Sequence, residues 1–180
     1  MFAKIKRKIR EWLQVERGGH VVIEEALRKG MQIGERVDFV TPPNFGSEPY
    51  LITIGDDTTI SFDVAFVTHD AATRVIRNLP DGNPNTGYFG EIVIGKNCFI
   101  GCRSTILPGV HIGDNTIIGA CSQVNRDIPS NMVAAGNPCK VICTLDEYRT
   151  KHKDDFVYEE IPLEKTKQFL LKYFGKENVE

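Results

Sequence analysis

Four histidines and one stretch rich in arginine, asparagine and tyrosine hold most of the reactive groups in this 180-residue chain. An imidazole with an unperturbed pKa of about 6.5 is mostly neutral near pH 7 and can take a proton from a hydroxyl. His69, in FVTHDA, stands where a regular sequence rhythm gives way to an irregular loop over 70–91. That position, beside a protruding loop, makes it the candidate base. Asp70 follows directly, and neighbours on an extended strand point to opposite sides. An orienting acceptor for the ring is therefore expected from a backbone carbonyl or from a carboxylate on another part of the fold. His111, in LPGVHIGD, occupies an outward-pointing position, while His20 and His152 lie outside the rhythm. Within the loop, Asp70, Arg74, Arg77, Asn85 and Tyr88 form the candidate substrate-binding set. Their side chains hydrogen-bond hydroxyls, pair with phosphate or stack on a sugar ring.

Other chemistries have less support. The five cysteines form an odd, unpatterned set, and neither Cys98/Cys102 nor Cys139/Cys143 has a second group of ligands around it. Cys98, Cys102 and Cys121 read as small buried hydrophobes. A three-histidine metal site needs more suitably spaced histidines than His69 and His111 provide, so no metal is expected. A formal net charge of −2 gives no reason to expect nucleic acid. There is no apolar run long enough to span a bilayer, and a reduced, cytoplasmic protein is the expectation.

The element that must position these groups is a repeat of six. From Ile94 the chain reads IGKNCF, IGCRST, ILPGVH, IGDNTI, IGACSQ, VNRDIP. An aliphatic recurs at Ile94, Ile100, Ile106, Ile112, Ile118 and Val124, usually with glycine next and a small residue such as Ser104, Thr116 or Ser122 four places on. A period of six does not fit the 3.6 of an α-helix. It fits a left-handed parallel β-helix, in which three hexads close a triangular coil and the aliphatics stack inside. Glycine is expected to allow a positive φ at the corners.

Earlier fragments begin at Ile33, Ile54, Ile60 and Phe66. Ile33 to Ile54 spans 21 residues, three more than a coil, and the surplus is assigned to a bulge in TPPNFGSEPY. The organisation is then an N-terminal helical segment (1–30), a β-helix (31–143) with its loop, and a C-terminal helical extension (144–180). Residues 2–17 read as a basic amphipathic helix packed on the body; contact with a membrane surface is the less favoured reading. NMVAAGNPCKVI is expected to leave the prism. Beyond it, Ile161, Leu163, Phe169, Leu170, Tyr173 and Phe174 form an apolar stripe that caps the coils or packs on a neighbouring subunit.

The run from Ile100 to Ile128, followed by DIPSNMVAAGNPCKVI, resembles the hexapeptide-repeat acyltransferases, in the branch of maltose, galactoside and polysaccharide O-acetyltransferases. The resemblance covers about residues 33–143 and implies a homotrimer, acetyl-coenzyme A as donor and active sites between neighbouring prisms. It implies His69 as general base in direct O-acetyl transfer to a carbohydrate hydroxyl, with no covalent enzyme intermediate. By motif match, Gly101, Cys102, Gly119, Ala120 and Asn125 border the donor, and Lys140 faces its phosphates. Phe99 and Arg103 are further outward candidates for that groove. A xenobiotic or antibiotic acetyltransferase and a non-catalytic hexapeptide scaffold are the alternatives. Neither the N-terminal domain of maltose and galactoside enzymes nor the helical domain of serine acetyltransferases is recognisable.

Overall fold

The computed structural model describes residues 17–155 and 166–175. The helix expected over 2–17 therefore lies outside the described residues, apart from Arg17. The chain divides into two compact units, Met1–Tyr148 and Arg149–Glu180.

The first unit is a left-handed parallel β-helix with three faces. The first face stacks β1 (Gln32–Ile33), β3 (Ile52–Ile54), β6 (Ile92–Ile94) and β9 (His111–Ile112). The second stacks β2 (Asp38–Phe39), β4 (Thr59–Ile60), β7 (Phe99–Ile100), β10 (Ile117–Ile118) and β12 (Met132–Ala135). The third stacks β5 (Ala65–Phe66), β8 (Thr105–Ile106) and β11 (Gln123–Val124). Every pairing among these strands is parallel and in register. Ile54, Ile94 and Ile112 stack, as do Ile60, Ile100 and Ile118, and Phe66, Ile106 and Val124; all are at most 2% exposed. Burying one such side chain stabilises the fold by about 1.5–3 kcal/mol. Short strands survive because this column, rather than strand length, holds them.

The small residues four places on are buried for a second reason. Thr58 Oγ1 donates to the Gly95 carbonyl at 3.0 Å and Ser104 Oγ to the Gly119 carbonyl at 3.2 Å. Among the described residues no buried side-chain nitrogen or oxygen lacks a partner, which removes the penalty of enclosing hydroxyls.

The corners correct one expectation. The glycines that follow the aliphatic do not carry positive φ, which falls on the fourth hexad position instead: on Gly109, at 80°, as expected, but otherwise on Asp57, Asp63, Asn97, Arg103, Asn115 and Cys121, at 52–59°. The glycines serve close approach instead: a Cβ on Gly101 would lie 2.4 Å from the Ala120 nitrogen, and one on Gly55 2.7 Å from Gly95 backbone. The left-handed positions are supported sideways, as where Asn97 Nδ2 donates to Asn115 Oδ1 and Asn115 Nδ2 to Asn131 Oδ1. Cys121 takes such a corner and is exposed, and Cys102 is half-buried, so of the three repeat cysteines only Cys98 is a core residue.

Both ends of the coil stack are modified. Helix α1 (Arg17–Arg28) closes the N-terminal end with Ile23 and Ala26 in the core, and packs on a 3₁₀ turn, Pro49–Leu51. At the other end the segment expected to leave the prism first extends it. β12 pairs in parallel with β10, then the chain reverses and β13 (Lys140–Thr144) returns antiparallel, with Cys139 fully buried between them. Helix α3 (Leu145–Lys151) follows. Within the second unit, α4 (Thr166–Tyr173) carries Phe169 stacked on Tyr173, while Leu170, Tyr173 and Phe174 are exposed. Ile161 and Leu163 lie outside the described residues.

Replacing Gly101 with Ala forces overpacking against backbone and should cost about 1–3 kcal/mol. Replacing Cys121 with Gly relieves about 1–2 kcal/mol of left-handed strain against about 0.4–1 kcal/mol of added chain entropy. Thermal denaturation should show a lower Tm for the first variant and an equal or higher Tm for the second. The reverse order would refute this division of labour between glycine and corner.

Candidate active site

Two departures from coil register meet at one corner. The first is the three-residue surplus between Ile33 and Ile54. The front half of TPPNFGSEPY keeps register, since Asn44 bridges Ala65 and Phe45 is buried. The surplus follows at Gly46, with φ 65°, and runs through the 3₁₀ turn. It lifts Glu48 onto the corner after the third face. One coil later, His69 leaves β5 on that same corner.

The second departure is the loop over 70–91. It is not irregular throughout: it contains α2 (Thr73–Arg77), and its two ends run antiparallel at a single His69–Phe89 bridge. The Asp70 N–H donates to the Tyr88 carbonyl and the Gly90 N–H to the Thr68 carbonyl, each at 2.9 Å. These bonds fix the backbone on both sides of His69.

His69 Nδ1 lies 2.8 Å from Glu48 Oε2, and Thr68 Oγ1 donates to that same oxygen at 2.7 Å. The Glu48 side chain is 14% exposed and that of His69 37%. The Thr68 hydroxyl, followed by the imidazole, holds the Glu48 carboxyl below its ordinary range, against the opposing effect of burial. An ionised carboxylate only accepts, so Nδ1 carries the proton and Nε2 is left with its lone pair. The ring of Phe89 lies 5.8 Å from that of His69, tilted by 45°.

A cavity of about 250 Å³ opens here, lined by Glu48, His69, Asp70, Arg74, Arg77 and Tyr88, with Phe89 at its side. Four of the five loop residues expected to contact an acceptor line it. Asn85 does not: it is exposed, and its N–H is taken by Asn83 Oδ1 at 2.9 Å. Asp70 Oδ1 accepts from the Ala72 N–H at 2.8 Å, which shapes the entry to the loop. Sequence reasoning did not name Glu48. Its signal was present in the three-residue surplus, which had to bulge outward one coil before His69.

The residues matched to the donor lie elsewhere on the prism. Gly101, Cys102, Gly119 and Ala120 stack along the corner between the second and third faces, and Lys140, in register with Ala135, stands exposed at its end. Arg103, on the same corner, lies with its guanidinium 5.9 Å from the Phe62 ring centroid, and Phe99 is exposed on β7. Asn125 follows β11 and sits on the His69 corner instead. His111 is exposed, with its N–H bonded to Asp127 Oδ1. Among the described residues no cluster of three or more His, Cys, Asp or Glu side chains is arranged to hold a metal, and no helix is long and apolar enough to cross a membrane.

Comparison with known proteins agrees with this architecture. Residues 91–126 match the model of the bacterial transferase hexapeptide family, a module of six repeats. Protein CapG of Staphylococcus aureus is 42% identical over 159 residues, covering 86% of this chain and 90% of CapG. The galactoside O-acetyltransferase of Escherichia coli K12 is 43% identical over 106 residues, covering 58% of this chain but about half, 49%, of that enzyme. A solved galactoside acetyltransferase in complex with coenzyme A superposes with a TM-score of 0.52 at 31% identity, over 73% of this chain and 60% of that one. The chain belongs to the hexapeptide-repeat acyltransferases.

Because the folded pKa of Glu48 is lowered, its stabilising contribution is full above the unfolded value of about 4.3 and is lost as pH falls through the folded value. Glu48→Gln should therefore flatten the acid limb of a Tm-against-pH curve below about pH 4.3, relative to the parent protein. Parallel curves for the two proteins would show that Glu48 makes no such contribution.

Proposed function

We propose that the protein is an acetyl-coenzyme A-dependent O-acetyltransferase in which His69 is the general base and a carbohydrate hydroxyl is the acceptor. The observation that carries this reading is the Glu48–His69 pair at 2.8 Å at the edge of the cavity. A carboxylate on Nδ1 fixes the tautomer and steadies the imidazolium that forms when Nε2 takes a proton. The acceptor hydroxyl gives its proton to Nε2 as its oxygen attacks the thioester carbonyl carbon. A C–O bond forms, the C–S bond breaks, and the imidazolium proton leaves with the thiolate as coenzyme A thiol. Ser104 and Ser122 are buried with their hydroxyls bonded to the Gly119 carbonyl, which suits packing better than nucleophilic attack.

The donor edge fits a long, phosphate-bearing substrate. Glycine and alanine keep the backbone near the surface at Gly119 and Ala120, and the Lys140 ammonium stands at the far end to meet phosphate. That edge and the His69 cavity occupy different corners of one prism. A homotrimer in which one copy's donor edge faces the next copy's His69 brings them together. Exposed Tyr88 and Phe89 offer faces on which a pyranose ring stacks. Five free thiols accord with a reducing, cytoplasmic setting.

His69→Ala should lower kcat by between about a hundredfold and ten-thousandfold with donor affinity nearly unchanged. Glu48→Gln should lower kcat by about tenfold or more through loss of the tautomer and of the counter-charge. Mass spectrometry of acetylated sugars reads both, and near-parental turnover in His69→Ala would remove the base from the mechanism. Lys140→Ala should raise the KM for acetyl-coenzyme A by about tenfold while kcat at saturation holds; an unchanged KM would remove Lys140 from the donor site.

A further inference from the structure

The cavity beside His69 contains two guanidinium groups without a carboxylate partner among the described residues, and we infer that they select an acceptor bearing an anionic group, as a uronic acid or a sugar phosphate does. The inference rests on the acetyl-transfer reading and names the acceptor class within it. Arg74 and Arg77 lie three residues apart on α2, hence on one side of it, and both line the cavity with His69. Neither makes an ion pair with a described carboxylate. Arg77 is anchored, because its Nε donates to the Thr86 carbonyl across the loop. That bond fixes the side chain and leaves its two terminal nitrogens free to donate. The Arg74 guanidinium makes no hydrogen bond with any described residue, its backbone N–H being taken by the Ala71 carbonyl at 3.0 Å.

Each acidic group of the cavity has one oxygen held elsewhere. Glu48 Oε2 is held by Thr68 and His69, and Asp70 Oδ1 accepts the Ala72 N–H. Neither carboxylate reaches either guanidinium, so both arginines line the cavity without a charged acceptor among the described residues. Hydroxyl oxygens of a neutral sugar could accept from a guanidinium, but charge-assisted bonds are roughly twice as strong and planar forks match carboxylate and phosphate geometry. An acceptor that enters with its own negative charge also lowers the cost of desolvating two cations. Tyr88 lines the same cavity and supplies a ring face, so one ligand can stack and ion-pair at once.

Galactose, galacturonic acid and galactose 6-phosphate test this with the full-length enzyme. Each is measured as an acceptor at saturating acetyl-coenzyme A, and separately as a ligand by titration calorimetry without donor. At least one acid should exceed galactose in kcat/KM and in affinity by roughly tenfold or more. Arg74→Gln and Arg77→Gln should each draw that ratio toward one, and Arg74→Lys should restore part of it. Which acid is preferred separates a carboxylate site from a phosphate site. Equal use of all three sugars, or a preference that survives both glutamine variants, overturns the inference and leaves the His69 chemistry intact. Arginine-dependent binding of an acid without any transfer upholds the anion site and sinks the acetyl-transfer reading. Failure of all three to bind overturns the anion site.

Discussion

Coil-to-coil contact at the corners governs this molecule. Successive turns of the β-helix are held by main-chain hydrogen bonds, so their backbones run at the spacing of neighbouring strands everywhere, including the bends. A side chain at the first corner position has no room: at Gly95, as at Gly101, a Cβ would come within 2.8 Å of backbone in the next coil. The positive φ that turns the chain falls two places further on, where side chains point out and asparagines can bond their counterparts above. Glycine at the first corner position is thus spent on clearance, and the left-handed turn falls mostly on residues with side chains, Gly109 excepted.

The same constraint decides where function can reside. An array in strict register has a filled interior and flat faces, with no concave place for chemistry. Any surplus residue must leave the stack at a corner. Here the two surpluses fall in adjacent coils at the same corner: three residues between Ile33 and Ile54, and a much longer excursion between Phe66 and Ile92. One contributes Glu48 and the other Arg74, Arg77, Tyr88 and Phe89, while the strand between them delivers His69. The cavity is built from irregularities on a scaffold stiff enough to hold them. Helix α1 supports the arrangement from below, since it packs on the 3₁₀ turn next to Glu48.

Electrostatics at the corner is simple for the same reason. Glu48 is partly enclosed, and its charge is satisfied by two donors before any ligand arrives. The imidazole is thereby given a defined tautomer while staying open to the cavity. The arginines line the same cavity and keep donors to spare.

The six-residue period alone determined the β-helix, its aliphatic column and the buried position of Ser104, Thr116 and Ser122, because a fixed repeat admits one stacking solution. It also marked His69, since a break in register is visible as a break in spelling. The tertiary structure decided what spacing cannot encode. Glu48 became the partner of His69 only when coils stacked 21 residues apart in sequence came within 2.8 Å in space. For the glycines after the aliphatic, the role changed from flexibility to clearance because the neighbour each avoids belongs to another coil, while Gly109 keeps the positive φ. Cys121 reads as a core residue in sequence and is an exposed corner, since the backbone at that register position turns its side chain outward. Local pattern fixes which residues stack; contacts between coils fix what each of them then meets.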